Sequence, residues 1–359
     1  MKPAATDPAP RAVHQVLAVF DPDDAQGAEA LKIREALARG GLASEIYAEV
    51  PLRPPALPLS LLPPRKRGDD TLVYHYSIGS GAGEVFRRYG GRQVLLYHNV
   101  TPERFFRGWD DAAMLECRRG RRLLPTFAAS AWRALADSEF NAGELRRAGF
   151  AEAQVLPYPS IEEGSEPEPE PDREIVGRFG SDGETNVLFV GRMVPNKRPD
   201  AAIAAFARYR EAFDPGARLF LVGETAVPSY RDLLRERAGD PRRTGVRLAG
   251  KVSPARLRAY YRIADLFLCL SEHEGFGVPL VESMRARVPV LAAAAAAVPE
   301  TLGGAGFLIE RRDPGFTAAC MRRILTDRPL RERLLAAQDR RLEEIRAYPF
   351  AERLLELLA

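Results

Sequence analysis

The segment Ser271-Glu272-His273-Glu274-Gly275-Phe276-Gly277-Val278-Pro279-Leu280-Val281-Glu282 sits between an apolar run, residues 265–270, and a stretch with helical spacing, residues 279–286. It therefore reads as strand, glycine loop and helix in succession. Gly275 and Gly277 permit positive φ and close approach of backbone to a ligand. Pro279 suits the first helical position, where its missing N–H costs nothing. The next amides, at Leu280, Val281 and Glu282, are then expected to be free at a helix N-terminus, a setting that favours an anion such as a phosphate. Glu274 and Glu282 flank the turn, and carboxylates accept paired sugar hydroxyls. Taken singly, each has a plainer reading, Glu274 as a solvated loop charge and Glu282 as a complement to the helix dipole.

A second segment has the same grammar. Val187-Leu188-Phe189-Val190-Gly191-Arg192-Met193-Val194-Pro195-Asn196-Lys197-Arg198-Pro199 is a buried-type strand that ends at a glycine and runs through spaced cations into a helix. Arg192 grips phosphate oxygens as a fork and Lys197 acts as a compact point charge, if both face the same ligand. Ordinary surface cations are the alternative.

Short apolar runs alternate with helical stretches along the whole chain. Strands are expected at 16–20, 44–48, 71–76, 94–98, 134–137 and 154–156, and again at 186–190, 218–222, 246–248, 265–270 and 288–292. Helices are expected at 29–39, 199–213, 229–238, 254–263, 279–286 and beyond residue 316. This alternation predicts two α/β doubly wound, Rossmann-like domains with parallel sheets. The acidic, proline-rich stretch 160–172 reads as a linker or exposed loop. The expected division is 1–178, 179–340, and a C-terminal helix, 341–359, packing back on the N-terminal domain.

A length of 359 residues and 46% hydrophobic content support two independent cores. A net charge of +3 argues against a dedicated nucleic-acid binder. Cys117, Cys269 and Cys320 stand apart and the four histidines are scattered, which speaks against disulfides and a protein-built metal site. No stretch has the length of a signal peptide's apolar core or of a membrane span, so a cytoplasmic protein is expected. The first loop, residues 21–27, lacks GxGxxG, which leaves dinucleotide redox chemistry unsupported.

The Gly191-Arg192…Asn196-Lys197 segment, the Glu274…Glu282 pair and Ala297-Val298-Pro299-Glu300-Thr301 together resemble family 4 of the retaining glycosyltransferases, from about residue 186 to about residue 309. Leu95-Leu96-Tyr97-His98-Asn99-Val100-Thr101-Pro102 resembles a subgroup with a His-Asn-Xaa-Thr-Pro segment. The resemblance implies the GT-B fold, two facing Rossmann-like domains with an interdomain cleft. It also implies a nucleotide-sugar donor held by the C-terminal domain and no bound divalent metal or other cofactor. By analogy Arg192 and Lys197 would hold the diphosphate, Glu282 the ribose and Glu274 the transferred sugar. Gly275, Phe276 and Gly277 would offer backbone amides to sugar and phosphate, and His98 would contact sugar or acceptor.

His98 and His75 each have a structural alternative, a histidine satisfied by neighbouring groups in the core. Asp24 stands where the subgroup's loop has a glycine just before, and here that position is Asp23. Ser138 and Asn141 read as a cap and turn. The basic clusters Arg118, Arg119, Arg121, Arg122 and Arg65-Lys66-Arg67 read either as solvated faces or as contacts to an anionic membrane or lipid diphosphate. The function implied is transfer of a hexose from GDP-mannose or a UDP- or GDP-hexose to a glycan or lipid-linked acceptor, in surface polysaccharide or glycoconjugate assembly. Rivals are a glycoside hydrolase, a sugar-nucleotide epimerase of the same shape and a non-catalytic sugar-nucleotide binder.

Overall fold

A computed structural model describes residues 12–63, 70–159 and 169–359. The triplet Arg65-Lys66-Arg67 and most of the acidic stretch lie outside the described residues.

The chain forms two compact units. In the first, seven parallel strands stand in the order β3-β2-β1-β4-β5-β6-β7. They are β1 (Ala12–Phe20), β2 (Ile46–Pro51), β3 (Leu57–Pro58), β4 (Asp70–Tyr76), β5 (Arg92–Tyr97), β6 (Arg133–Ala136) and β7 (Gln154–Val155). Every residue of β4 is buried, as a strand covered on both faces requires. The first helix, Ala25–Arg39, starts four residues before the sequence expectation, because the Asp24 side chain accepts from the Gly27 amide at 2.7 Å and caps it. Ser138 likewise caps the helix Glu139–Arg147 by accepting from Asn141 N at 3.2 Å.

In the second unit six parallel strands stand in the order β10-β9-β8-β11-β12-β13. They are β8 (Asn186–Val190), β9 (Arg218–Val222), β10 (Val246–Gly250), β11 (Leu266–Cys269), β12 (Val290–Ala293) and β13 (Phe307–Ile309). β8 and β9 fall where their apolar runs place them. β3 and β13, of two and three residues, are too short to show a period in sequence.

The units divide differently from the sequence expectation. The second comprises residues 104–111 and 163–347. Trp109 belongs there because its ring meets Tyr230 edge-on at 5.0 Å and its carbonyl accepts from Ser229 Oγ at 2.6 Å. Helix Arg173–Phe179 belongs there too, with Ile175 and Phe179 buried. The expected boundary at 340/341 falls inside helix Arg328–Arg346, whose Gln338 and Leu342 are buried. The last helix, Phe350–Leu358, packs in the first unit, where Phe350, Leu354 and Leu357 join Val13, Ile33 and Leu37 in one core cluster.

Each sheet reverses its winding once, between β1 and β4 in the first unit and between β8 and β11 in the second. The crevice beyond the strands' carboxyl ends at such a reversal is where open α/β sheets bind ligands. The loops leaving β8 and β11 are the two segments singled out in sequence.

Candidate active site

Backbone geometry comes first at the second unit's reversal. Gly191 N donates to Val222 O at 2.9 Å and Met193 N to Glu224 O at 2.7 Å, which carries the β8 loop along β9. Gly223 has φ of +145°, and a Cβ there would lie 1.9 Å from Gly191 O, so only glycine permits this approach.

Arg192 then projects into solvent, and no described residue pairs with its side chain. Lys197 does the opposite. Its Nζ forms an ion pair with Glu274 Oε2, the two side chains being 21% and 9% exposed. The other oxygen, Glu274 Oε1, accepts from Ser271 Oγ at 2.7 Å. The expected phosphate lysine and sugar carboxylate are thus each other's partners here.

The glycine loop is held from several sides. Asn196 Nδ2 donates to His273 O at 3.2 Å, and Asn196 O accepts from Glu272 N at 2.8 Å. Arg312 donates to Leu270 O and Ser271 O, both at 3.2 Å. Thr301 Oγ1 donates to Phe276 O at 2.5 Å. Phe105 packs against His273 with ring centroids 6.0 Å apart. Ser271, Asn196 and Thr301 lie within the motifs singled out in sequence and Arg312 outside them, but none of the four had a role assigned there, because such residue types are common in loops and their meaning comes from what they reach.

Gly277, with φ of +96°, precedes a helix over Val278–Arg285, one residue earlier than expected. The amides left without an intrahelical acceptor shift accordingly, to Gly277 and Val278. Leu280 N already donates to Gly277 O at 2.9 Å, and the Leu280 and Val281 side chains are buried. Glu282 stands one turn on. Its Oε2 accepts from Tyr261 OH at 2.8 Å. Burial, then the Glu282 carboxylate, holds the Tyr261 phenol well above its ordinary value, so it remains a donor. Glu282, Tyr261, Arg258 and Arg285 share the lining of a pocket of about 320 Å³. Glu274 and Glu282 therefore have separate partners.

His98 belongs to the first unit and follows β5. Its side chain is 5% exposed, so what the residue shows to solvent is mainly backbone. Nε2 lies 2.9 Å from His75 Nδ1, and Nδ1 lies 3.1 Å from Asp137 Oδ2. With both ring nitrogens engaged, the imidazole is not presented to a sugar, and the core alternative describes His75 and His98 better. Asn99 beside it adopts φ of +79°, and its Nδ2 donates to Asn141 Oδ1 at 2.8 Å and Glu144 Oε2 at 3.0 Å.

The arginine cluster lies on helix Asp111–Leu123. Arg121 does not share the exposed face, because it donates to Val100 O at 2.6 Å and pairs with Glu144 at 2.8 Å. Arg118, Arg119 and Arg122 are exposed, as is Leu115. Among the described residues no helix is long and apolar enough to cross a membrane.

Residues 172–340 match the family model described as glycosyl transferases group 1. A D-inositol 3-phosphate glycosyltransferase of Corynebacterium efficiens is 33% identical over 157 residues, covering 41% of this chain and 36% of that protein. Its namesake in Thermomonospora curvata is 34% identical over 180 residues, covering 48% and 42%. The chain thus spans well under half the length of these curated relatives. Sucrose-phosphate synthase from Thermosynechococcus elongatus superposes with a TM-score of 0.71 at 18% identity, covering 96% of this chain and 97% of that one. WaaG, a glycosyltransferase involved in lipopolysaccharide biosynthesis, gives 0.68 at 17%, covering 97% and 99%. Anabaena HepE, solved with UDP-glucose, gives 0.67 at 17%, covering 96% and 98%. The fold is GT-B, built of two parallel-sheet, Rossmann-like domains.

Proposed function

We propose that this chain is a retaining, family 4 type hexosyltransferase that uses a nucleotide-sugar donor and no resident metal or other cofactor. The observation that supports it most is the node at the second unit's winding reversal. There the exposed Arg192, the Lys197–Glu274–Ser271 chain and a helix opening at Gly277 and Val278 lie on the two loops that flank the reversal, inside the region matched to the glycosyltransferase family model. In this reading the donor exchanges the Lys197–Glu274 pair for pairings of its own. The diphosphate takes Lys197 and Arg192, the sugar hydroxyls take Glu274, and the ribose takes Glu282 beside Tyr261. Negative charge grows on the departing diphosphate, where preorganised cations and amides act most strongly. His98 orders the end of β5 rather than touching the sugar with its ring.

A UDP-hexose heads the donor panel, since a fold neighbour was solved with UDP-glucose; GDP-mannose and other GDP-hexoses follow. The acceptor is proposed to be a glycan or lipid-linked glycan of surface polysaccharide or glycoconjugate assembly. A cytoplasmic site of action fits it, with peripheral contact to anionic lipid through Arg118, Arg119 and Arg122. The hydrolase reading needs Glu274 and Glu282 facing one bond, whereas each is engaged with its own partners. Incubation with labelled donors tests the proposal. Transfer or slow release of nucleoside diphosphate supports it, whereas epimer formation or binding without turnover across an acceptor panel overturns it.

A further inference from the structure

The crevice end of the first unit's sheet encloses five polar side chains from five elements: Gln15 on β1, Glu29 on the first helix, His75 on β4, His98 after β5 and Asp137 after β6. Glu29 is the anomaly. Its side chain is 1% exposed, it lies on a helix face turned into the protein, and neither carboxylate oxygen has a hydrogen-bond partner among the described residues. Asp137 Oδ1 has none either. A buried carboxylate in that state is costly if ionised.

Hydrogen-bond polarity counts the protons. Gln15 Nε2 donates to Ala30 O at 2.9 Å, which turns Gln15 Oε1 towards His75 Nε2, also 2.9 Å away. An amide oxygen only accepts, so His75 carries its proton on Nε2 and offers Nδ1 as a lone pair. His98 Nε2, 2.9 Å from that lone pair, must therefore be protonated. His98 Nδ1 faces two carboxylates, Asp137 Oδ2 at 3.1 Å and Glu29 Oε2 at 3.4 Å, and an unprotonated nitrogen there would set lone pair against lone pair. One cation between two anions still leaves a net negative charge in the core. A proton on Glu29 removes it.

We propose that the first unit folds around a charge-balanced cluster, a cationic His98 offset by the Asp137 carboxylate beside a neutral Glu29, and that this cluster holds the turn at His98 and Asn99. The surroundings agree. Burial, and then Asp137, push Glu29 up to about 8, against the pull of His98 and Lys32. Burial alone would lower His98, but Asp137 and Glu29, with a smaller contribution from Asp24, raise it to about 9. Burial and the neighbouring His98 keep His75 well below its ordinary value and neutral. Lys32 Nζ, on the same helix as Glu29, donates to Pro159 O at 2.7 Å.

The sign follows. Glu29 and His98 both hold in the folded state a proton that the unfolded chain, near 4.5 and 6.5, gives up. Stability from Glu29 is full below its unfolded value and is lost as pH rises towards 8. Stability from His98 is lost between 6.5 and 9. His75 acts the other way, drawing stability down as pH falls below 6.5.

The test is Glu29→Gln, a neutral side chain of the same shape. Unfolding of the first unit can be followed through Trp132 fluorescence in a Trp109→Phe background. The folding constant of the parent should fall relative to the variant by about tenfold per pH unit between pH 6 and 8. Parallel curves would overturn the proposal. Ring 15N shifts of the four histidines give a second readout on the parent itself, independent of whether the variant folds. His98 should remain doubly protonated at pH 7.5 and His75 should be the neutral Nε2–H tautomer; a neutral His98 overturns the proposal. Glu29, His75 and His98 also present ligand atoms within 4.8 Å of one another. Stoichiometric zinc or another transition metal in the purified protein, lost in Glu29→Gln, would overturn it as well. None of these readouts uses donor or acceptor, so they hold or fail independently of the transferase reading.

Discussion

Arg192 and Lys197 are proposed to hold the same diphosphate, but removing them should affect the folded protein very differently. The Arg192 side chain is exposed and no described residue pairs with it. Arg192→Ala should leave stability within about 0.5 kcal/mol of the parent. Lys197 neutralises Glu274, which is 9% exposed and otherwise keeps one hydrogen bond, from Ser271. Taking away one member of a buried pair strands the other, at about 3–5 kcal/mol. Because Lys197 is 21% exposed, water can enter beside Glu274, which points to the lower end, about 3 kcal/mol. At about 2–4 °C per kcal/mol for a unit of this size, Lys197→Ala should lower Tm by roughly 6–12 °C. Adding Glu274→Gln should restore most of it, since a neutral amide keeps the Ser271 contact without a stranded charge. Both single variants should lower kcat/KM by about two to three orders of magnitude, and Lys197→Arg should rescue only in part, because a planar fork does not sit where a point charge did. Calorimetric melting alongside steady-state kinetics reads both quantities. A Lys197→Ala protein that melts with the parent, or a double variant no more stable than Lys197→Ala, would show that Lys197 does not neutralise a buried Glu274.

Glu274→Gln should impair turnover while nucleoside diphosphate affinity changes less than threefold, because its proposed partner is the sugar. Glu282→Gln should weaken that affinity about tenfold, the scale of one hydrogen bond to a charged group; calorimetric titration that finds the reverse order would exchange the two roles. Neutralising Arg118, Arg119 and Arg122 to Gln should reduce co-sedimentation with anionic vesicles at low salt and matter less at higher salt. Equal sedimentation of variant and parent would leave that helix a solvated face.

Much of the fold was legible because parallel strands buried on both faces are short apolar runs, and glycine and proline punctuate them. β8, β9 and the helix Pro254–Ile263 begin and end where those signals fall. Glu274, Arg192 and Lys197 stand out in sequence because they lie between strand ends and helices, and Glu282 because it follows in the helix that the glycine loop opens. Which charge faces which was not. The Lys197–Glu274 pair, the Tyr261 contact to Glu282 and the Thr301 hold on Phe276 join residues 77, 21 and 25 positions apart. Glu29 looks in sequence like an ordinary charge on a helix, and only the packing of that helix on β1, in a core shared with residues of β4 and β5, buries it. The imidazole of His98 looked available because a strand end usually opens on solvent, and the Asp137 and His75 side chains that occupy it come from neighbouring strands. Residues 104–111 were assigned by chain proximity, whereas Trp109 and Phe105 make their contacts with the second unit's own residues.

Whether the chain is a retaining transferase fed by a nucleotide sugar can be read by proton NMR of the chain mixed with UDP-glucose or GDP-mannose and followed from the first minutes. Nucleoside diphosphate and sugar should appear together, the new anomeric signal should first have the donor's own configuration, and Arg192→Ala should slow both. An inverted first product, a donor converted to its epimer, or a donor panel left intact alongside tight binding would contradict it.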